Sequence, residues 1–449
     1  MSELPGGWVF ASLGDLQTNV GIFSDGDWIE SKDQDPEGQN RLLQLADIGD
    51  GTFINKSSRF VNDETFERLN CTALEEGDVL IARMPDPLGR ACLMPNLPQR
   101  CLTVVDVAVF RSGHADISHR WLMHAINASP IREDISRNAS GTTRKRIARG
   151  KLSELIFPVP PAAEQKRIAQ KLDELLAQVN TLKARIDAIP ALVKRFRQCV
   201  LASALSGKLT GISVEVDAAL ADTGNVTGGI TKNSKRSSLE LVRPYLRVAN
   251  VQAGRLDLRE ITSIGVTDQE AKKTELKSGD ILIVEGNGSL DHIGRAAMWS
   301  GEIKNCCHQN HLIRWRQEGQ ALPKFVLFYL ASPQGREALV KAAKSTTGLH
   351  TLSITKISSL RIPLLELEQQ TEIVRRVEQL FDFADQLEAK VVTVKQRIDT
   401  LTQSILAKAF RGELVPQDPN DEPASVLLER IRAQRAAAPK PKRGRKTKG

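Results

Sequence analysis

The sequence predicts an α+β chain made by tandem duplication. Each copy is a mixed α/β globule followed by a long helix, and the two helices pair as an antiparallel coiled-coil spacer. Three observations predict this: an internal repeat spanning about half the chain, two matching heptad patterns, and β-branched runs broken by turn signals between them. At 449 residues the chain has room for roughly two to four domains. Its 41% apolar and 26% charged residues are ordinary for a globular protein.

The repeat organises everything else. LEEGDVLI at 74–81 returns as LKSGDILI at 276–283, an offset of 202. LQLADI at 43–48 matches LRVANV at 246–251 at 203, and Gly89-Arg-Ala91 matches Gly294-Arg-Ala296 at 205. The offset of 205 then holds through Lys151/Lys356, Pro158/Pro363, Ile168/Ile373 and Gly207/Gly412. So slow a drift means two copies of one unit with small loop insertions. The boundaries read as a first globule at 1–150, a helical region at 151–211, a second globule at 212–355 entered by a Gly-rich linker at 212–238, a second helical region at 356–415, and a basic, flexible tail at 416–449.

Within the globules, Gly77-Asp78 and Gly279-Asp280 read as turns that open strands, and Thr103–Phe110 as a further strand. Trp121–Asn127 and Phe325–Ala331 read as short helices stopped by Ser-Pro. In the first helical region Ile168, Leu172, Leu175, Val179, Leu182 and Ile186 recur at alternating spacings of 4 and 3. Ile373, Val377, Leu380, Ala384, Leu387 and Val391 repeat the pattern in the second. That is a coiled-coil seam. Pro158, Pro160 and Pro161 punctuate its start and Pro190 interrupts it. A 28-residue helix over 162–189 is about 42 Å long, the length of about 12 base pairs.

The net charge of +8 is local. Arg430–Gly449 holds nine Lys/Arg and no acid, which leaves 53 basic against 54 acidic residues in the rest. The tail is therefore either an electrostatic nucleic-acid arm or a solubilising end. No apolar run approaches the ~18 residues of a membrane helix, and the N-terminus lacks a signal-peptide pattern, so the expectation is a cytoplasmic chain without a membrane partner.

Catalytic chemistry is hard to find. There is no P-loop, GxSxG or HExxH, and the only Pro-Pro, Pro160-Pro161, opens a helix. Cys306, Cys307, His308 and His311 cluster within six residues, but no second ligand pair follows at zinc-site spacing, so no metal is assigned.

LPGGW at 4–8, PVPPAAEQKRIAQKLDELLAQV at 158–179 and SILAKAFRGEL at 404–414 resemble the specificity subunit of type I restriction-modification enzymes, as does the alternation of two globules with two helical repeats. The resemblance implies a non-catalytic subunit of a cytoplasmic host-defence complex. It would bind double-stranded DNA through two target-recognition domains that read a split, asymmetric sequence. Adenine methylation and cleavage would belong to modification and restriction subunits, two of each, which would carry S-adenosylmethionine, ATP and Mg. No cofactor and no catalytic residue falls to this chain.

Base readout needs hydrogen-bonding side chains on projecting loops. The first globule offers Thr142, Thr143, Arg144, Lys145 and Arg146, and the second Thr346, Thr347, His350 and Thr351. Arg83, Arg90, Asn287, Ser289 and Arg295, which follow the Gly-Asp strands, complete the candidates. Two other classes stay open at this level. A coiled-coil DNA-binding scaffold would lack base-contacting loops, and a self-contained methyltransferase or nuclease would need an active site that no motif marks.

Overall fold

The structure is a computed structural model that describes residues 4–211, 218–287, 292–343 and 350–437. The chain forms two compact units: Met1–Arg185 with Val394–Gly449, and Ile186–Thr393. The first unit holds an antiparallel four-stranded sheet, in the order Ile22–Asp25, Val107–Arg111, Val79–Ala82, Ala91–Leu93. Beside it lies a three-stranded sheet of Phe60–Val61, Asn40–Leu43 and Cys101–Thr103, the last pair parallel. The second unit repeats both, with Gly224–Gly228, Leu312–Gln317, Ile281–Val284 and Ala296–Met298 in one sheet and Thr262–Gly265, Val242–Leu246 and Cys307–His308 in the other. Helices His119–Asn127 and Pro323–Ala331 each lead through Ser-Pro into another helix, Ser129–Arg137 and Pro333–Ala343. Thr103–Phe110 is two strands rather than one, because the chain turns at Val104–Asp106 to change sheets.

The repeated motifs are structural devices. Gly77 and Gly279 adopt φ of +86° and +93°, where an L side chain is strained. The Asp after each ties the turn down. Asp78 accepts the Glu75 amide at 2.8 Å and takes the Arg111 guanidinium side-on at 2.6 and 2.7 Å. Asp280 does the same with the Lys277 amide at 2.7 Å and with Arg316 at 2.6 Å on both oxygens. At the start of each long helix, buried Gln165 and Gln370 accept the amides of Ser118 and Leu322 (2.9 and 2.8 Å), fixing helix to globule. Trp8 of the N-terminal motif, just before the strand Val9–Ser12, donates to buried Glu164 at 2.9 Å, which joins that segment to the first long helix.

The long helices are Ala162–Leu205 and Leu367–Phe410, 44 residues each, and they end before Gly207 and Gly412 at φ +77° and +75°. They pair antiparallel. In the first unit Lys183 meets Asp399 at 3.1 Å, and Ile168 and Leu172 share a core with Leu406 and Ala409. In the second, Arg197 meets Asp385 at 2.6 Å, and Arg376 donates to the Leu209 carbonyl at 2.7 Å. Seam residues Ile168, Leu172, Val179, Ile373, Val377, Ala384 and Val391 are buried, while Leu175, Ile186, Leu380 and Leu387 are half-buried. Leu182 is 49% exposed and lies off the seam.

Three expectations are corrected. Pro190 does not interrupt the first helix, which continues through it. Of the supposed linker at 212–238, residues 218–238 are built into the second globule, where Gly224–Gly228 is an edge strand on Leu312–Gln317, and 212–217 lie outside the described residues. The supposed flexible tail includes the helix Ala424–Ala437, whose Ala424, Leu427, Leu428 and Ile431 join the core of the first unit. Its Arg435 donates to the carbonyls of Gly14 and Gln17. Basic composition hid an apolar stripe.

Candidate nucleic-acid interface

In the first unit the chain leaves strand Val79–Ala82 at Arg83, whose carbonyl accepts the Ile147 amide at 3.1 Å. Ser140 and Arg146 exchange backbone bonds of 2.9 and 2.8 Å, closing the loop between them. Gly141 at φ +105° permits this loop, since a Cβ there would sit 2.4 Å from the Arg144 oxygen. Thr142, Thr143, Arg144 and Lys145 are exposed, and Arg144 and Lys145 meet no carboxylate at ion-pair distance among the described residues. Arg146 instead holds the loop base, donating to the Val105 carbonyl at 3.1 Å and pairing with Asp106 at 3.3 Å. Lys145 also lines an open groove of about 690 Å³ with Pro85–Leu88, Arg132 and Arg137. Sequence reasoning passed over Pro85–Leu88, whose residue types carry no signal for DNA.

The second unit repeats the scaffold with different chemistry. The Glu285 carbonyl accepts the Leu352 amide at 2.7 Å, and Gly286–Asn287 pairs antiparallel with His350–Thr351. Two candidate segments are thereby brought together. Thr351 is exposed and its carbonyl accepts the Lys356 ammonium at 3.2 Å. Ser289, Thr346 and Thr347 lie outside the described residues, as do the side chains of Asn287 and His350.

Of three candidate cations, two prove to be interior and the third half-buried. Arg83 is 5% exposed, bonded to the carbonyls of Ile147 and Val105 at 3.0 Å each and paired with Asp25 at 2.5 Å. Arg90 is 8% exposed and donates to the carbonyls of Ile48, Pro87 and Leu45 at 2.5, 2.8 and 2.7 Å. Its repeat partner Arg295 holds Val251 and Val248 at 2.6 and 3.0 Å. Burial lowers the pKa of all three guanidiniums. Buried Arg83 and Arg90 are withdrawn as DNA contacts because their guanidinium donors are taken up by backbone carbonyls of their own unit, and half-buried Arg295 is held in the same way.

The Cys/His cluster does not converge. Cys306 and Cys307 are buried, with burial pushing the Cys306 thiol up to about 12. His308 is fully buried against the Thr274 carbonyl at 3.1 Å, whereas His311 is exposed and pairs with Glu285 at 2.9 Å.

A duplicated globule that keeps its interior devices and varies the loops at one sheet end defines a class: a tandem recognition protein with two reading surfaces on paired helices. Comparison with known proteins gives the family. The model for the type I restriction modification DNA specificity domain matches residues 5–191 and 217–395. The chain is 33% identical over 469 aligned positions to the type I restriction enzyme EcoKI specificity subunit of Escherichia coli K12, covering 99% of both chains. It is 37% identical to the StySPI specificity subunit of Salmonella potsdam over 74% of each. A solved type I R-M system structure superposes with a TM-score of 0.71 at 18% identity, covering 92% of this chain and all of that one. The HsdS subunit from Thermoanaerobacter tengcongensis gives 0.57 at 18% identity, covering 92% of this chain and 98% of its own. The chain belongs to the type I restriction-modification DNA specificity family. It is a DNA-recognition subunit that works with methylase and restriction subunits and is not itself catalytic. No described helix is long and apolar enough to cross a membrane.

Proposed function

We propose that the chain reads a bipartite, asymmetric DNA target, one half-site per globule, with the paired helices setting the gap. One observation carries this reading: the same strand end roots a segment in both copies, built on Arg83–Ile147 in one and Glu285–Leu352 in the other, and the two segments differ in sequence. Equal scaffolds with unequal loops suit two different half-sites. Thr142, Thr143, Arg144 and Lys145 serve the first half-site. Asn287, Ser289, Thr346, Thr347, His350 and Thr351 serve the second.

The helix pair also bears on the proposed partner count. Leu182 and Leu401 of the first unit, 49% and 46% exposed, correspond through the offset of 205 to Leu387 and Phe196 of the second. There they adjoin Leu192 and Phe383, 56% and 61% exposed, around an apolar groove. Leu192 and Phe383 have Arg397 and Gln178 as their first-unit counterparts, so the two units share only the leucine and its facing apolar residue. These related surfaces suit two copies of one modification subunit, with two restriction subunits completing a cytoplasmic complex. The partners, not this chain, would carry S-adenosylmethionine, ATP and Mg.

The test is to co-express the chain with its modification subunit and map methylated adenines across a genome. A split motif is expected. Replacing residues 212–355 by those of a relative should change one half of the motif and leave the other intact. A chimera that altered both halves would sink the reading.

A further inference from the structure

We propose that each globule carries a third DNA-contacting segment, the loop after its first sheet strand: residues 28–35 in the first unit and 231–238 in the second. The inference rests on the DNA-reading role proposed above and adds new residues to it. Equivalence is structural. Asp27 bridges to Val104 in the first unit as Ile230 bridges to Gln309 in the second, and a short 3-10 turn follows in each, Ser31–Asp33 and Ser234–Ser238.

Both loops border the turn that the recognition segments border. In the first unit Asp27, Trp28 and Glu30 share a pocket with Val105 and Asp106, the residues to which Arg146 anchors its loop. In the second, the Ile230 carbonyl accepts the Asn310 amide at 3.0 Å, and neighbouring His311 holds Glu285 at the root of the recognition ribbon. The third segment therefore lies on the recognition face in both copies.

Its chemistry separates the copies. Asp33 pairs with Arg68 of helix Asp63–Arg68 at 2.7 Å, whereas Arg236 pairs with Glu270 of helix Asp268–Thr274 at 2.7 Å. The same brace has its polarity reversed. Outward, the first loop presents Trp28, 69% exposed and tethered to Glu30 at 3.4 Å. The second presents Lys232 and Lys235, both exposed and without an ion pair among the described residues. An indole in water at a DNA-reading edge suits a base face or thymine methyl, and paired ammoniums suit phosphates.

Trp28 reports on itself, because the other four tryptophans, Trp8, Trp121, Trp299 and Trp315, are buried. Acrylamide should quench the free full-length chain through Trp28, and duplex carrying the target should protect it. Trp28→Ala should relax one position of the first half-site by about 5- to 150-fold in discrimination, with the second half unchanged. Lys232→Ala with Lys235→Ala should weaken target and scrambled duplex alike and lower the salt slope by about 2. Thermal unfolding should match wild type, since all three side chains point to solvent. If the wild-type motif is split but Trp28 stays quenchable on DNA and both variants keep motif, affinity and salt slope, the third segment is wrong and the bipartite reading stands. If the wild-type motif is not split, the bipartite reading itself fails.

Discussion

At the residue scale, what matters is which polar groups face inward. Buried Arg90 joins the carbonyls of Ile48, Pro87 and Leu45 and meets no carboxylate at ion-pair distance among the described residues, so its loss leaves the buried Ile48 oxygen unpaired. Arg90→Met should destabilise the first unit by about 2–4 kcal/mol in denaturant unfolding while leaving discrimination of the folded protein intact. A selective loss of base discrimination at unchanged stability would return Arg90 to the interface. His308 makes stability depend on pH. Burial holds it down to about 4, against 6.5 for an ordinary histidine. Between those values the unfolded chain takes up a proton that the folded chain refuses. Stability present above pH 6.5 is therefore lost as pH falls towards 4, by up to about 1.4 kcal/mol per pH unit. His308→Gln should flatten that slope in unfolding midpoints taken from pH 7 to 4.5, and an unchanged slope would mean that His308 does not titrate there. In the first unit Asp27, raised by burial to about 6, acts with the opposite sign: the folded state holds its proton, so stability falls as pH rises from 3.8 through 6.

At the element scale the helices were the legible part. A 3.5-residue repeat needs only its own segment to be recognised, and the buried positions 172, 179, 193 and 200, with 377, 384, 391 and 398, keep the seven-residue step. What composition suggested and packing overruled was local. Pro190 is exposed, so its ring and missing N–H face water and the helix carries on. In the C-terminal helix Val426, Leu427, Leu428 and Ile431 are the only large apolar residues, a signal too short to outweigh the basic run. If the helix pair sets the gap, seven residues inserted in each helix at facing positions near Lys183 and Asp399 should lengthen it by about 10 Å, about 3 base pairs. Both half-sites should keep their sequence in the methylation motif. An unchanged gap would assign spacing to something other than the helices.

At the scale of the whole molecule, the duplication was plain in the sequence because Gly-Asp, Gly-Arg-Ala and the Pro and Gly flanking each long helix recur at nearly constant offset. The reading face was legible only in part. Loop cations such as Arg144 could be found by residue type, but burial of Arg83 and Arg90 depends on carbonyls up to 64 residues away in sequence. The same long reach has a temporal side. The second unit is one continuous stretch, whereas the first needs Val394–Gly449 to complete it, and its core includes Leu406, Ala409, Leu427 and Ile431. On a ribosome that makes about 5–20 residues per second, the half synthesised first must wait for the half synthesised last. For that interval its emerging strands have an unfinished core, which makes the N-terminal unit, though translated earlier, the later of the two to close and the one more dependent on chaperones.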